Sequence, residues 1–408
     1  MTAPDALVPT AERPLRVRTY LQVGRTLEPV TGTGRHVNAM VDELNRRPDV
    51  ALDLLFSRRW LGPDGKLPAN CPLRDLPFST YQLPERLSER VRKLIERPSI
   101  APHLAGSDVL YAPADVVVPA APYPTVVTLH DMFAVDPEFP LHRSSAFFRR
   151  LERRWRAWLP KLFAHSDAIV TSSNHSRRRM RELTDTADTP VIVVGNGVAP
   201  VFYEIGEKNP ADCRRPGPWP YALAVGGLQK RKGAAEMLAV AAELHRRGSE
   251  VRVVFVGRPE PDWEAAAKET PNAVVAGPIA DDLMAEYLRA ADAQLFLSHY
   301  EGFGLPALEA MAAGVPVVAA NNTSIPEVVG DAGVSLSPAD TGPATDAIIA
   351  FAERGAVREE YVRKGRERAA RFTWADCAER AFRVLVAAAN RDAARLRELA
   401  ERPLTDGG

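Results

Sequence analysis

Short apolar runs alternate with stretches in which apolar residues recur every three or four positions, and the pattern is played twice along the chain. In the first half, Val17 to Val23, Val50 to Phe56, Asp108 to Tyr111, Thr125 to Leu129, Ala168 to Thr171 and Val191 to Val194 read as strands. His36 to Arg46 reads as a helix. Strands alternating with helices predict a parallel sheet covered on both faces. Residues 57 to 107 break the rhythm with many prolines and one charged helix candidate, Pro84 to Arg97. Residues 203 to 220 hold Pro210, Pro216, Pro218 and Pro220 with Gly206 and Gly217, the composition of a linker. The pattern then restarts. Tyr221 to Val225, Val251 to Val256, Val274 to Ala276, Ala293 to Leu297 and Val315 to Ala320 read as strands. Ala234 to Arg247, Asp281 to Ala291 and 306 to 313 read as helices. The expected organisation is a doubly wound domain over 1–205, a linker over 206–220 and a second doubly wound domain over 221–375. A helical end, 376–408, can cross back to the first domain.

One strand-turn-helix unit in the second domain concentrates polar chemistry. Glu301 follows the apolar run Ala293 to Leu297, and Glu309 stands eight positions later, beyond Gly302-Phe303-Gly304-Leu305-Pro306. Pro306 suits a first helical turn, where its missing N–H costs nothing, and Gly314 suits the stop. Glu301 is therefore expected on a loop and Glu309 on the first turns of a helix, at the strand's carboxyl end, where open α/β sheets bind ligands. Gly302 and Gly304 let backbone N–H groups approach a ligand, and a helix N-terminus favours phosphate. The two carboxylates suit acceptor-only contacts to hydroxyls. A second glycine turn, Gly226-Gly227, leads into Lys230, Arg231 and Lys232, cations that neutralise phosphate. It is not a P-loop, because Gly-x4-Gly-Lys-Ser/Thr is absent. Gly32-Thr33-Gly34-Arg35 fails as a dinucleotide fingerprint, since Val37 replaces the third glycine, and reads as a loop before a helix. His130 follows the strand Thr125 to Leu129, again at a carboxyl end, with Asp131 beside it.

Composition narrows the partners. Fifty-two basic and 52 acidic residues cancel, which argues against a general nucleic-acid binder. Three widely spaced cysteines form no CxxC pair, which points to a reducing cytosol. The polar, proline-bearing start lacks the apolar stretch of a signal peptide, and no apolar run reaches the length of a membrane span. Phe147 to Phe163 is basic and aromatic; a core or cleft-lining helix is favoured over a helix lying on a membrane surface. No metal-binding constellation stands out.

Together these segments resemble retaining glycosyltransferases of the GT-B fold, the large family numbered four. Glu301 to Glu309 resembles the family's Glu-x7-Glu motif. Thr128 to Asp131, Ser166 to Ser173, Asn196 to Val198, Val225 to Gly233, Ala310 to Val318 and Ser324 to Val328 follow in family order. The chain departs from the pattern at Gly227, where many relatives carry an arginine or a small polar residue.

The resemblance implies an α/β GT-B protein, two doubly wound domains facing across a cleft. It implies a hexosyltransferase that moves a sugar from a nucleotide diphosphate sugar to a hydroxyl acceptor without a metal ion or other cofactor. Arg231 and Lys232, with the backbone of Gly304-Leu305, would hold the diphosphate. Glu309 would take the ribose hydroxyls, and Glu301 the sugar hydroxyls. Gly257 and Gly277-Pro278-Ile279 would border the nucleobase. Gly32, Gly34 and His130 would face the donor and the acceptor from the first domain, with His130 near the reacting carbon. GDP-mannose is favoured, UDP sugars next, and the acceptor is a glycan, a lipid-linked glycan or a small molecule. An epimerase or phosphorylase on the same fold, or a non-catalytic sugar-nucleotide binder, are the alternatives. The expected location is the cytoplasm, with peripheral attachment to a membrane surface left open.

Overall fold

The computed structural model describes residues 6–27, 31–82, 99–118, 120–139, 146–186 and 188–404. The helix candidate Pro84 to Arg97 lies outside them. The chain forms two compact units. One comprises residues 1–136, 145–196 and 374–405; the other comprises 137–144, 197–373 and 406–408.

The first unit holds a sheet of β1 (Leu15–Tyr20), β2 (Val50–Ser57), β3 (Phe78–Tyr81), β4 (Val109–Ala112), β5 (Thr125–Thr128), β6 (Ala168–Thr171) and β7 (Val191–Val193). Every pairing is parallel, in the order β3-β2-β1-β4-β5-β6-β7. β4, β5 and β6 are buried at every position, the pattern of strands covered on both faces. β3 was not expected. It is an edge strand whose side chains are mostly half-buried, so it has no apolar run to announce it.

The second unit repeats the scheme with β8 (Tyr221–Val225), β9 (Arg252–Val256), β10 (Ala273–Gly277), β11 (Ala293–Phe296), β12 (Val317–Ala320) and β13 (Val334–Leu336). Their order is β10-β9-β8-β11-β12-β13, again all parallel. In each unit the order reverses once, between β1 and β4 and between β8 and β11. Ligands of open α/β sheets bind outside the strand ends at such a reversal.

Two helical expectations change. Residues 32–35 are not a loop: the helix spans Gly32–Asn45, with Thr31 as N-cap accepting from the Gly34 N–H. A threonine one residue ahead of the helix offers an oxygen to an orphan donor, which outweighs two glycines of poor helix propensity. The long C-terminal stretch is two helices, Trp374–Ala389 and Ala393–Glu401, separated at Arg391, whose φ is +53°. Both belong to the first unit. The basic, aromatic segment is the helix Ala146–Ala164, whose Leu159, Leu162 and Phe163 are buried and whose Trp155 and Trp158 pack on the first unit's core. Among the described residues no helix is long and apolar enough to cross a membrane.

Gly233 joins the basic turn to the helix Ala234–Arg246 at φ +79°, and a Cβ there would lie 2.1 Å from the Leu297 carbonyl oxygen. Gly248 has a similar φ of +70° but open space around it. Gly248→Ala is expected to cost only the ~1–2 kcal/mol of left-handed backbone. Gly233→Ala adds a clash with backbone and should cost clearly more in urea denaturation. Equal losses would contradict the packing described.

Candidate active site

The basic turn after β8 and the loop after β11 leave neighbouring strands, so their backbones meet. Arg231 carbonyl oxygen accepts from the His299 N–H at 2.9 Å, and Ser298 Oγ lies 3.3 Å from the same oxygen. Behind this seam the glycines allow close stacking of turns. The N–H groups of Gly226 and Gly227 both donate to the Val256 carbonyl, at 2.9 and 2.8 Å. A Cβ on Gly227, at φ +78°, would lie 2.3 Å from the Arg258 carbonyl oxygen. A side chain at this position would force the Arg258 backbone to move. Gly257 is equally confined, its Cβ position 2.6 Å from the Gly227 nitrogen.

Three of the expected charged residues come together here. Lys232 Nζ donates to Glu301 Oε1 at 2.6 Å, and Arg231 comes to 3.7 Å from the same oxygen. Ser298 Oγ also donates to Oε1 at 2.6 Å, and Arg231 donates to the Tyr300 carbonyl at 2.6 Å. Both side chains of the Lys232–Glu301 pair are close to nine-tenths buried. Burial pushes the Glu301 carboxyl up, but the charges of Lys232 and Arg231 and the hydrogen bonds outweigh it and hold the group below its ordinary value. The site therefore presents clustered cations and an ionised carboxylate at one strand end.

The glycine turn after Glu301 is anchored from below. Ser324 Oγ is 2.9 Å from the carbonyl oxygens of both Glu301 and Phe303. Gly304 takes φ +123° and caps the helix Leu305–Ala312, with Pro306 in its first turn. Gly302 is half-buried; Phe303 and Leu305 are buried, and Phe303 packs edge-on to Phe372 at 6.0 Å. Glu309 is buried on that helix. Gly277 ends β10 at φ +70°, its carbonyl accepting from Gly257 N–H at 2.9 Å, and Ile279 is half-buried just beyond.

In the first unit, His130 stands directly after Leu129, past the end of β5. Its backbone N–H and Nδ1 lie 2.9 and 3.0 Å from Asp115 Oδ1. Its ring meets the His36 ring edge-on, with centroids 4.9 Å apart. Gly32 and Gly34 form the first turn of the helix that carries His36.

Ser298, Thr323, Asp115 and His36 were not read from the sequence as site residues. Nothing in their spacing marks them, because only the folded sheet brings them to these loops. Thr323 does leave a trace in the backbone: φ is +52°, rare for a β-branched residue, and its Oγ1 accepts from the Glu301 N–H at 3.3 Å. Among the described residues, no group of three or more His, Cys, Asp or Glu side chains could hold a metal ion.

Residues 30–201 match the family model "Glycosyltransferase Family 4", and residues 220–354 match "Glycosyl transferases group 1". O-antigen chain mannosyltransferase B of Escherichia coli is 33% identical over 165 residues, 38% of this chain and 43% of that protein. Glycogen synthase of Mycobacterium tuberculosis is 29% identical over 246 residues, 58% of each. The chain thus spans about half the length of the curated relatives it matches. Among solved structures, sucrose-phosphate synthase from Thermosynechococcus elongatus superposes with a TM-score of 0.68 at 19% identity, covering 91% of this chain and 98% of that one.

Removing the ammonium should expose the cost of burying Glu301. In Lys232→Ala the carboxylate keeps only Arg231 and Ser298, and loss of one partner of a buried pair costs about 3 kcal/mol. A carboxyl whose folded pKa is depressed contributes stability above its unfolded pKa, lost as pH falls toward the folded value. The wild-type advantage over Lys232→Ala should therefore be full at pH 7 and shrink below pH ~4.5, as read by urea denaturation. An advantage independent of pH would contradict the ion pair.

Proposed function

We propose that this chain, built on the GT-B fold from family 4 and group 1 glycosyltransferase domains, moves a hexose from a nucleotide diphosphate sugar to a hydroxyl acceptor. The carrying observation is the convergence of Lys232 and Arg231 on Glu301 beside the loop that starts the helix Leu305–Ala312. When the bond to the sugar breaks, negative charge grows on the diphosphate. Cations already fixed in place stabilise that charge without reorganising at the moment of reaction. In this reading the diphosphate lies over Lys232, Arg231 and the N–H groups of Gly304-Leu305. The side-chain cations do the work a divalent ion would otherwise do.

The carboxylates orient the donor. Lys232, Arg231 and Ser298 all address Oε1 of Glu301, so Oε2 is the oxygen assigned to a sugar hydroxyl. Glu309 accepts from the ribose, and Gly257, Gly277 and Ile279 border the base. His130, Gly32 and Gly34 are assigned substrate contacts within the first unit. Retention is taken from the family resemblance; with no nucleophile placed among the described residues, it is assigned to attack on the same face, with a donor phosphate oxygen taking the acceptor proton. The mannosyltransferase among the relatives favours GDP-mannose, with UDP sugars next. The acceptor is a glycan, a lipid-linked glycan or a small soluble hydroxyl compound.

A thermal-shift screen of nucleoside diphosphates and sugar nucleotides tests the donor. A ligand at 100 times its Kd should add about 2.7 kcal/mol to stability. With the identified donor, turnover of Lys232→Ala should fall by roughly 10²–10³, as for removal of one transition-state donor. Near-normal turnover in that variant, at a temperature where it is folded, would refute the phosphate assignment.

A further inference from the structure

We propose that Asp115 is a positioning residue for His130, holding the imidazole as the Nδ1–H tautomer so that Nε2 serves as a hydrogen-bond acceptor for a substrate hydroxyl. The inference deepens the proposed function and rests on the reading of His130 as a substrate contact.

The argument starts from topology. Asp115 follows β4 and His130 follows β5, neighbouring parallel strands, so both emerge at the same edge of the sheet. One carboxylate oxygen, Oδ1, receives both the backbone N–H and the ring Nδ1 of His130, at 2.9 and 3.0 Å. The other oxygen faces Arg25, which follows β1, at 3.9 Å. An ionised carboxylate has no hydrogen to give, so Nδ1 must carry it. Asp115 is ionised: burial pushes its carboxyl up, but the attraction and hydrogen bonds of His130, with Arg25, outweigh this and hold it at about 2. Two bonds from one residue to one oxygen fix ring orientation as well as tautomer, because the backbone bond sets the loop while the ring bond sets χ2.

His36 packs beside this ring. Its Nδ1 lies 2.7 Å from Asn196 Oδ1, and burial together with the neighbouring His130 pushes it down to about 3, so the ring is neutral. A neutral ring set edge-on packs against His130 without repelling it as a cation would. The Nε2 atom of His130 is buried, with no hydrogen-bond partner among the described residues. A buried acceptor without a donor costs free energy in the unliganded protein, and a ligand hydroxyl would recover it.

Long-range 1H–15N correlation on the full chain labelled with [15N]histidine reads the tautomer directly. His130 is assigned by the signals missing in His130→Gln. The expected result is a hydrogen on Nδ1 and a bare Nε2 at pH 8. Asp115→Ala removes the shared acceptor, so it should mix the tautomers. It should lower kcat with the identified donor by roughly 10- to 100-fold, the usual loss when an orienting partner is removed, with KM changed far less. A hydrogen on Nε2 in the wild-type protein overturns the proposal without any variant. So does an Asp115→Ala enzyme with unaltered tautomer and kcat. Unchanged turnover in His130→Gln would instead overturn the reading of His130 as a substrate contact, separately from the tautomer.

Discussion

The buried contact between Lys232 and Glu301 is the constraint around which the second unit's strand ends are arranged. A buried ion pair seldom adds net stability, because desolvation of two charges offsets their attraction. Its value here lies in geometry. The ammonium ties the turn after β8 to the loop after β11, and the backbone seam from Arg231 to His299 and the Ser298 hydroxyl reinforces the tie. These strands flank the reversal in sheet order, where no crossover covers the carboxyl ends. A sheet of this kind needs something to hold its two halves' loops in register at that point, and a charged pair fixed by several hydrogen bonds does so with little freedom left. Much of the surrounding backbone serves the same end. Gly227 and Gly257 let adjacent turns touch directly, and Ser324 grips two carbonyls of the glycine turn from below.

The first unit solves the same problem with different groups. Its reversal lies between β1 and β4, and there Asp115 gathers His130 from β5's loop and faces Arg25 from β1's loop. In both units one ionised carboxylate organises cations or hydrogen-bond donors from neighbouring strand ends. The similarity follows from the architecture: parallel strands deliver all their carboxyl ends to one edge, so polar loop residues distant in sequence are brought within reach of each other.

What the sequence made legible divides along physical lines. β4, β5, β6, β8 and β11 are buried at nearly every position, so their residues are mostly apolar and their limits were read within a residue or so. The two-sheet α/β architecture followed from them. β3 and β13 lie at sheet edges with half-exposed side chains, and they passed unnoticed. The break at Arg391 has no glycine or proline to signal it. Residues 32–35 were misread because two glycines spoke louder than one capping threonine. In the candidate site, Arg231, Lys232 and Glu301 stood out by type and position, but their mutual contact spans some seventy residues of sequence. Asp115, His36, Ser298 and Thr323 had no local signature at all, because their importance arises only from which strands are neighbours.

The return of the helices Trp374–Ala389 and Ala393–Glu401 to the first unit has a bearing on how the protein is made. Residues 197–373 form a contiguous insert that leaves the ribosome whole, whereas the unit begun earlier still lacks a wall. At about 5–20 residues per second, translating that insert takes roughly 10–35 s. Through this interval the helix Gly32–Asn45 awaits the partner it packs on, Trp374–Ala389. Vectorial synthesis thus lets nearly all of the later-encoded lobe emerge before the earlier one receives its last two helices.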